Sequence, residues 1–305
     1  MKILILGNTG FIGKNLTKYF KQKRIKVLGI SRSNRNNLTN KKHLKKKLLN
    51  FKPDFVINCA AQVGSLHFVM SNPAKIFHNN MIILLNIYKS ISELEIKPVL
   101  VNLISNCAYP GKLKIQDEKK FWDGIPHESS LAFGSTRRLI TVLNKVYKKQ
   151  HNIDTKNFIL PGVYGPEDHN DVNRVHALDG LIIRMMKSQK NNFKTFEIWG
   201  SGKPIREWIY VEDVVKLIDK FLNIDLKNGI INFSQKKGYS ILHIANLIKK
   251  NLNYNVKFIF NKKFSDGDPV KILDNKIFKK NISNYKFTSL DEGIKKTIIY
   301  YKSLI

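Results

Sequence analysis

The 305-residue chain is poor in cysteine, arginine and acidic residues. Its two cysteines, Cys59 and Cys107, stand far apart. They imply no disulfide framework, and a reducing compartment, the cytoplasm, is the expectation. The apolar start, MKILIL, meets glycine at once. That stretch is too short to cross a bilayer and has no small-residue cleavage site, so neither a membrane span nor a secretory leader is read there. Acidic residues number 23 against 53 basic ones, a net charge of +30. Only eight of the basic residues are arginine. The lysines are spread along the chain among abundant Asn and Ile. The one dense run, Lys41 to Lys47 around His43, has no interleaved aromatics. A concentrated basic patch is missing, which argues against nucleic-acid binding. At 43% hydrophobic residues the chain can bury a sizeable core, which excludes general disorder. The rare arginines carry more information than the lysines, because a guanidinium suits planar anions. Arg32, Arg137, Arg174, Arg184 and Arg206 all fall in or near motifs.

Lys2 to Leu6 is a continuous apolar run followed by glycine, the pattern of a buried parallel strand. Val27 to Ile30, Asp54 to Cys59, Val99 to Ile104 and Asn157 to Leu160 read as four further strands. Helical patterns lie at Asn15 to Phe20, Pro73 to Ser90 and Leu131 to Lys149. Strands alternating with helices predict a doubly wound parallel sheet with right-handed crossovers. After Gly165 the segments shorten and Gly, Asn and Asp become denser, which predicts a smaller lobe over the sheet's carboxyl edge. Residues 1–165, joined by about 206–222, are expected to form the dinucleotide-binding unit. Residues 166–205 and 223–305 are expected to form the second lobe.

Three motifs carry chemistry. Gly7-Asn8-Thr9-Gly10-Phe11-Ile12-Gly13 follows the first strand and opens the first helix. Its glycines admit a pyrophosphate to the backbone, and the helix N-terminus adds N–H donors. At the end of the second strand, Ser31-Arg32-Ser33 and then Arg35 stand where an acidic residue would grip the ribose of NAD. A cation beside hydroxyls favours the 2′-phosphate of NADP, with NAD as the alternative. Just beyond the fourth strand comes Ser105-Asn106-Cys107-Ala108-Tyr109-Pro110. Ser105 can hydrogen-bond a substrate carbonyl there. Cys107 can act as acid or base if its thiol is acidified; small core filler is the competing reading.

With these residues the chain resembles the extended short-chain dehydrogenase/reductases that act on nucleotide sugars, and among them the GDP-L-fucose synthases. Those enzymes epimerise C3 and C5 of GDP-4-keto-6-deoxymannose and then reduce C4 with NADPH. The resemblance runs over nearly the whole chain. It implies an α/β fold: a doubly wound parallel Rossmann sheet with a smaller C-terminal α/β substrate lobe. Ser105 and Cys107 match the family's catalytic serine and cysteine. Ala60-Ala61-Gln62-Val63-Gly64 matches its cofactor-side loop, and Pro161-Gly162-Val163-Tyr164-Gly165-Pro166 its strand-to-lid turn. His176 matches the second epimerisation residue, and Arg184 a nearby substrate-binding arginine. Trp199-Gly200-Ser201-Gly202-Lys203-Pro204-Ile205-Arg206-Glu207 matches the loop whose arginine binds the diphosphate. Trp199 reads first as packing, with stacking on the base as the alternative. The stretch from Asp266 through Lys271 to Asp274 matches the segment that closes the nucleotide site. A GDP-linked sugar is the implied substrate, and no metal ligand set is assigned.

One departure stands out. The family's reductive dyad is Tyr-x-x-x-Lys, and the matching stretch here is Phe133-Gly134-Ser135-Thr136-Arg137. Hydride delivery to a ketone creates an alkoxide that needs a proton donor, and a phenyl ring cannot supply one. Arg137 can still grip the nicotinamide ribose. Epimerisation needs only an acid and a base flanking the carbon beside the ketone, and Cys107 with His176 supply such a pair. His127 and His169 read as surface residues. In the resembled family the helix over 131–149 forms a two-fold contact, so a homodimer is implied. Two other readings stay open: a different nucleotide-sugar dehydrogenase, dehydratase or isomerase, and a non-catalytic NADP- or sugar-nucleotide-binding protein.

Overall fold

The computed structural model describes residues 1–34, 37–171, 174–226 and 229–304. The chain begins with β1 (Lys2–Leu6), α1 (Phe11–Gln22) and β2 (Lys26–Ile30). Next come α2 (Lys41–Phe51), β3 (Phe55–Asn58), α3 (Leu66–Ser71), α4 (Pro73–Ser92) and β4 (Val99–Ser105). Then α5 (Leu131–His151) and β5 (Thr155–Leu160) follow. In β1, Ile3 to Leu6 are all fully buried, as an apolar run covered on both faces requires. Helix α1 sends Phe11, Leu16 and Phe20 into the core and leaves its lysines in solvent. Pro73 opens α4 at its first turn, where a missing N–H costs nothing.

The second half comprises β6 (Gly162–Tyr164), α6 (Ala177–Lys190), β7 (Thr195–Trp199), β8 (Ile205–Tyr210) and α7 (Val211–Phe221). It continues with β9 (Ile230–Asn232), β10 (Gly238–Ser240), α8 (Ile241–Asn251) and β11 (Lys257–Asn261). It ends with β12 (Val270–Lys271), α9 (Lys276–Asn281) and α10 (Leu290–Lys302).

Six parallel strands form the main sheet in the order β2-β1-β3-β4-β5-β9. The chain runs outward from β1 in both directions, so β1 and β3 flank a topological switch point, where ligands bind beyond the carboxyl ends. A second sheet has the order β10-β8-β12, with β6 also paired to β8. Strands β7 and β11 make a separate parallel pair.

The lysine run at 41–47 is helix α2: Leu44 and Leu48 enter the core, while Lys41 and Lys45 each hold Glu93 at 2.9 Å. Two expectations change. Of the segment 206–222, α7 packs on α1, whereas Arg206–Tyr210 is the centre of the second sheet, with Ile209 buried in the first core. Ile230–Asn232, expected in the second lobe, closes the main sheet beside β5. No described helix is long and apolar enough to cross a membrane.

Candidate active site

One cavity of about 2050 Å³ opens over the carboxyl ends of β1, β3, β4 and β5 and runs beneath the second sheet. Gly7 sits at φ +80°, and a Cβ there would lie 3.0 Å from the Ala60 backbone. At Gly13 a Cβ would fall 2.2 Å from the Gly7 carbonyl oxygen. Both positions therefore require glycine, and the loop comes tight against α1. Gly10 is the N-cap of α1, and no side chain caps that helix, so its first-turn N–H groups remain available to an anion. Ser33 at the end of β2 donates to Thr9 at 2.9 Å and lies 3.0 Å from Ser31. Arg32 is exposed on the same rim. Arg35 lies outside the described residues.

Cys107 sits in the short turn that follows β4. Ser105 Oγ accepts from the Cys107 N–H at 3.3 Å and holds that turn. Helix α5 presses against it: a Cβ at Gly134 would fall 2.2 Å from the Cys107 carbonyl oxygen. Lys271, only 9% exposed, donates from Nζ to Cys107 Sγ at 3.3 Å. Burial pushes the thiol up, but Lys271, Ser105 and Ser130 outweigh it, and the net shift is below the ordinary thiol value. Beneath β12, the buried Glu207 carboxylate accepts from Leu273 N at 2.9 Å and Ser234 Oγ at 2.8 Å, which fixes the strand carrying Lys271. Cys59, also on the cavity wall, has no such partner, and burial pushes its thiol up.

Phe133 is 7% exposed and packs with Val69 and Ile76 while still facing the cavity. The Arg137 guanidinium lies 5.5 Å from its ring centroid. Arg137 is 2% exposed and donates from Nη2 to Asn80 Oδ1 at 3.3 Å, while its Nε has no partner. Burial brings its pKa down to about 10. A buried guanidinium with an unpaired N–H, on a side chain that lines the cavity, suits a polar ligand. Together with the glycine cradle, it makes the residues present fit a dinucleotide. No tyrosine lines the cavity among the described residues.

His176 also lines the cavity, at the N-cap of α6. Asp168 Oδ2 accepts from its backbone N–H at 2.8 Å and lies 3.0 Å from its Nδ1. Burial disfavours the imidazolium, but the Asp168 carboxylate outweighs it, and the His176 pKa is raised. That hydrogen bond assigns the ring proton to Nδ1 and leaves Nε2 free for chemistry. The ring rests on Phe11 at 5.5 Å. Arg206 donates from Nη2 to the Asp266 carbonyl oxygen at 3.0 Å. The Asp266 carboxylate is itself taken up by Ser201, at 2.7 Å from N and 2.6 Å from Oγ, so it staples two loops together. Trp199 stacks on Phe264 at 4.5 Å and carries the Arg184 guanidinium 3.9 Å from its centroid. A base can stack on Trp199 only by displacing one of these.

The cavity wall thus gathers Gly7, Thr9, Gly10, Phe11, Ile12, Gly13, Ser31, Arg32, Ala60, Ala61, Val63, Pro161 and Val163. It also gathers Ser105, Cys107, Phe133, Arg137, His176, Arg184, Trp199, Arg206, Asp266 and Lys271. Two histidines depart from expectation. His169 lines the cavity 3.3 Å from Arg174, and His127 caps the turn before α5, its Nδ1 2.8 Å from Ser129 Oγ. Asp168 and Ser130 were not anticipated. The only signal was Asp168 following Tyr164-Gly165-Pro166, a short polar residue in a turn.

This fold, with its glycine loop and the cavity over the sheet's carboxyl ends, defines a dinucleotide-dependent α/β enzyme. Residues 3–233 match the NAD dependent epimerase/dehydratase family, and the chain belongs to that family. It is similar to the GDP-L-fucose synthase of Dictyostelium discoideum, 29% identical and spanning 98% of this chain and 94% of that one. It is similar to the GDP-L-colitose synthase of Yersinia pseudotuberculosis at 28% identity, spanning 99% and 98%. A solved GDP-L-fucose synthetase from Naegleria fowleri bound to NADP aligns with TM-score 0.86 and 25% identity, over 99% of this chain and 94% of that chain.

Proposed function

We propose that the protein is an NADP-binding epimerase of a 4-keto GDP-sugar that has lost the C4 reduction step. The observation that carries this reading is the cavity itself. Cys107, His176 and Phe133 all line it, and no tyrosine does among the described residues. The relatives' GDP-sugar names and the NADP-bound neighbour support the substrate class and the cofactor.

The glycine loop, Ser31, Arg32, Ala60, Ala61, Val63, Arg137, Pro161 and Val163 would hold NADP, which when bound supplies hydride chemistry. Arg184, Arg206 and Lys271 give three cations for a diphosphate. Epimerisation then needs no redox change. A base takes the proton from the carbon beside the C4 ketone, and the C–H electron pair moves into an enolate on the C4 oxygen. An acid returns a proton to the opposite face. Beside the Lys271 ammonium, Cys107 is the natural base. Beside the Asp168 carboxylate, His176 is the natural acid. The Ser105 hydroxyl can donate to the ketone oxygen as negative charge grows there. At the reduction step the alkoxide would meet Phe133, which has no proton to give. Loss of a general acid typically lowers a rate about 10²–10⁴-fold.

Solvent-deuterium uptake at C3 or C5 tests the pair. Cys107→Ala and His176→Ala should each abolish uptake at one or both carbons, and full uptake by the double variant contradicts the assignment. A purely binding protein needs no thiol–ammonium contact and histidine–carboxylate pair in one cavity, which is why the catalytic reading is preferred. We also propose that the chain forms a homodimer through α5 and acts in the cytoplasm.

A further inference from the structure

Lys271 is an ammonium almost wholly removed from water, and it needs a counter-charge. Among the described residues no carboxylate lies within 4.0 Å of it. The acceptor its Nζ has is Cys107 Sγ at 3.3 Å. The contact joins residues 164 apart in sequence, one in the turn after β4 and one in β12. Strand β12 is only two residues long, and its register beside β8 sets Lys271 next to Arg206. Two cations from adjacent strands therefore stand near one sulfur, and hydroxyls of Ser105 and Ser130 complete its surroundings.

We propose that Lys271 is a positioning residue that holds Cys107 as a thiolate in the free protein, before any sugar arrives. This deepens the epimerase reading and rests on it only for what the thiolate is used for. The thiol proton goes to solvent, and the Lys271 ammonium keeps its own protons as donor to sulfur. Other charged groups around the turn are already engaged. From α5, Arg138 donates to the carbonyls of Ala108 and Gly124, and Arg137 donates to Asn80. From the turn before α5, His127 is bound to Ser129. Asp266 and Asp268 lie on the Arg206 side, where Asp268 accepts from Lys112 N at 3.4 Å. That leaves Lys271 as the cation in direct contact. Loss of Lys271 should return the sulfur to ordinary thiol behaviour, and an arginine there should preserve the thiolate.

The test is alkylation of the free protein by iodoacetamide between pH 5 and 10, read by mass spectrometry at Cys107. The thiolate displaces iodide and forms a C–S bond, so the rate tracks the thiolate fraction. Wild-type Cys107 should show a midpoint at least about one unit below the ordinary thiol value of about 8.5. Lys271→Met should raise it by about one unit or more, lowering the pH 7 rate about tenfold, and Lys271→Arg should hold it low. Cys59, on the same cavity wall with no cation in contact, is the internal control: its rate should not respond to the change at Lys271. Should Lys271→Met unfold, Lys271→Gln takes its place. A wild-type midpoint at the ordinary thiol value overturns the proposal, as does an unchanged profile in a folded Met or Gln variant. No sugar enters this measurement. A low wild-type midpoint in a protein that takes up no deuterium into a sugar would overturn the epimerase reading and leave Lys271's role standing.

Discussion

Each member of the proposed acid–base pair stands beside a group of opposite charge, and the proposal assigns base and acid on that ground. The ammonium at Cys107 favours the deprotonated sulfur, and the carboxylate at His176 favours the protonated ring. Asp168→Asn should therefore lower the His176 pKa. The basic limb of the epimerisation rate profile reports loss of the imidazolium, so it should move about one unit toward lower pH. A limb that stays in place would contradict His176 as the acid. The other residue-scale prediction concerns the missing phenol. Phe133→Tyr places a hydroxyl on the cavity wall beside Arg137, and NADPH-dependent reduction should rise by about 10²-fold or more. No gain in a steady-state NADPH assay would mean that Phe133 does not occupy the proton donor's place. Cys107, Phe133 and Arg137 lie inside short motifs and His176 rests on the family resemblance, and all four line the cavity. Asp168 and the Lys271 contact were not legible in the sequence. A hydrogen bond between residues 164 apart leaves no local pattern, and an aspartate in a polar turn looks like any other turn residue.

Among the elements, long periodic ones were readable and short ones were not. Five of the six sheet strands and helices α1, α4 and α5 announce themselves as apolar runs or helical periods. Helix α2 hides because its lysines outnumber its two core leucines, and a charge run resembles a solvated loop until Leu44 and Leu48 are seen one turn apart. Strand β9 has only three residues, too few for a pattern, and its place in the main sheet depends on β5. Helix α5 makes a testable claim of its own. Its inner face carries Phe133, Arg137 and Ile140, yet Val142 and Val146 are 39% and 49% exposed on the outer face. If that face seats a second copy, Val142→Asp with Val146→Asp should convert the protein to monomer in sedimentation or size-exclusion measurements. A wild type that is already monomeric, or a variant that remains dimeric, would contradict the proposed contact.

At the scale of the whole molecule, the chemistry depends on bringing the two sheets over one cavity. The main sheet presents the glycine loop, Ser105 and Cys107 at its carboxyl edge. The second sheet presents Arg206 and Lys271, and α6 presents His176 and Arg184. The division expected from the sequence misplaces two segments, because the chain passes between the sheets more than once: β8 belongs to the second sheet, the following α7 packs on α1, and β9 returns to the main sheet. If reduction is lost, the product leaves as a 4-ketose, and a separate reductase must consume it. The most direct measurement is proton NMR of GDP-4-keto-6-deoxymannose incubated with the protein and NADPH in deuterated water. The account predicts deuterium at C3 or C5, no C4 carbinol signal and no NADPH consumed. A C4 carbinol formed at the expense of NADPH, or a sugar spectrum that never changes, would contradict it.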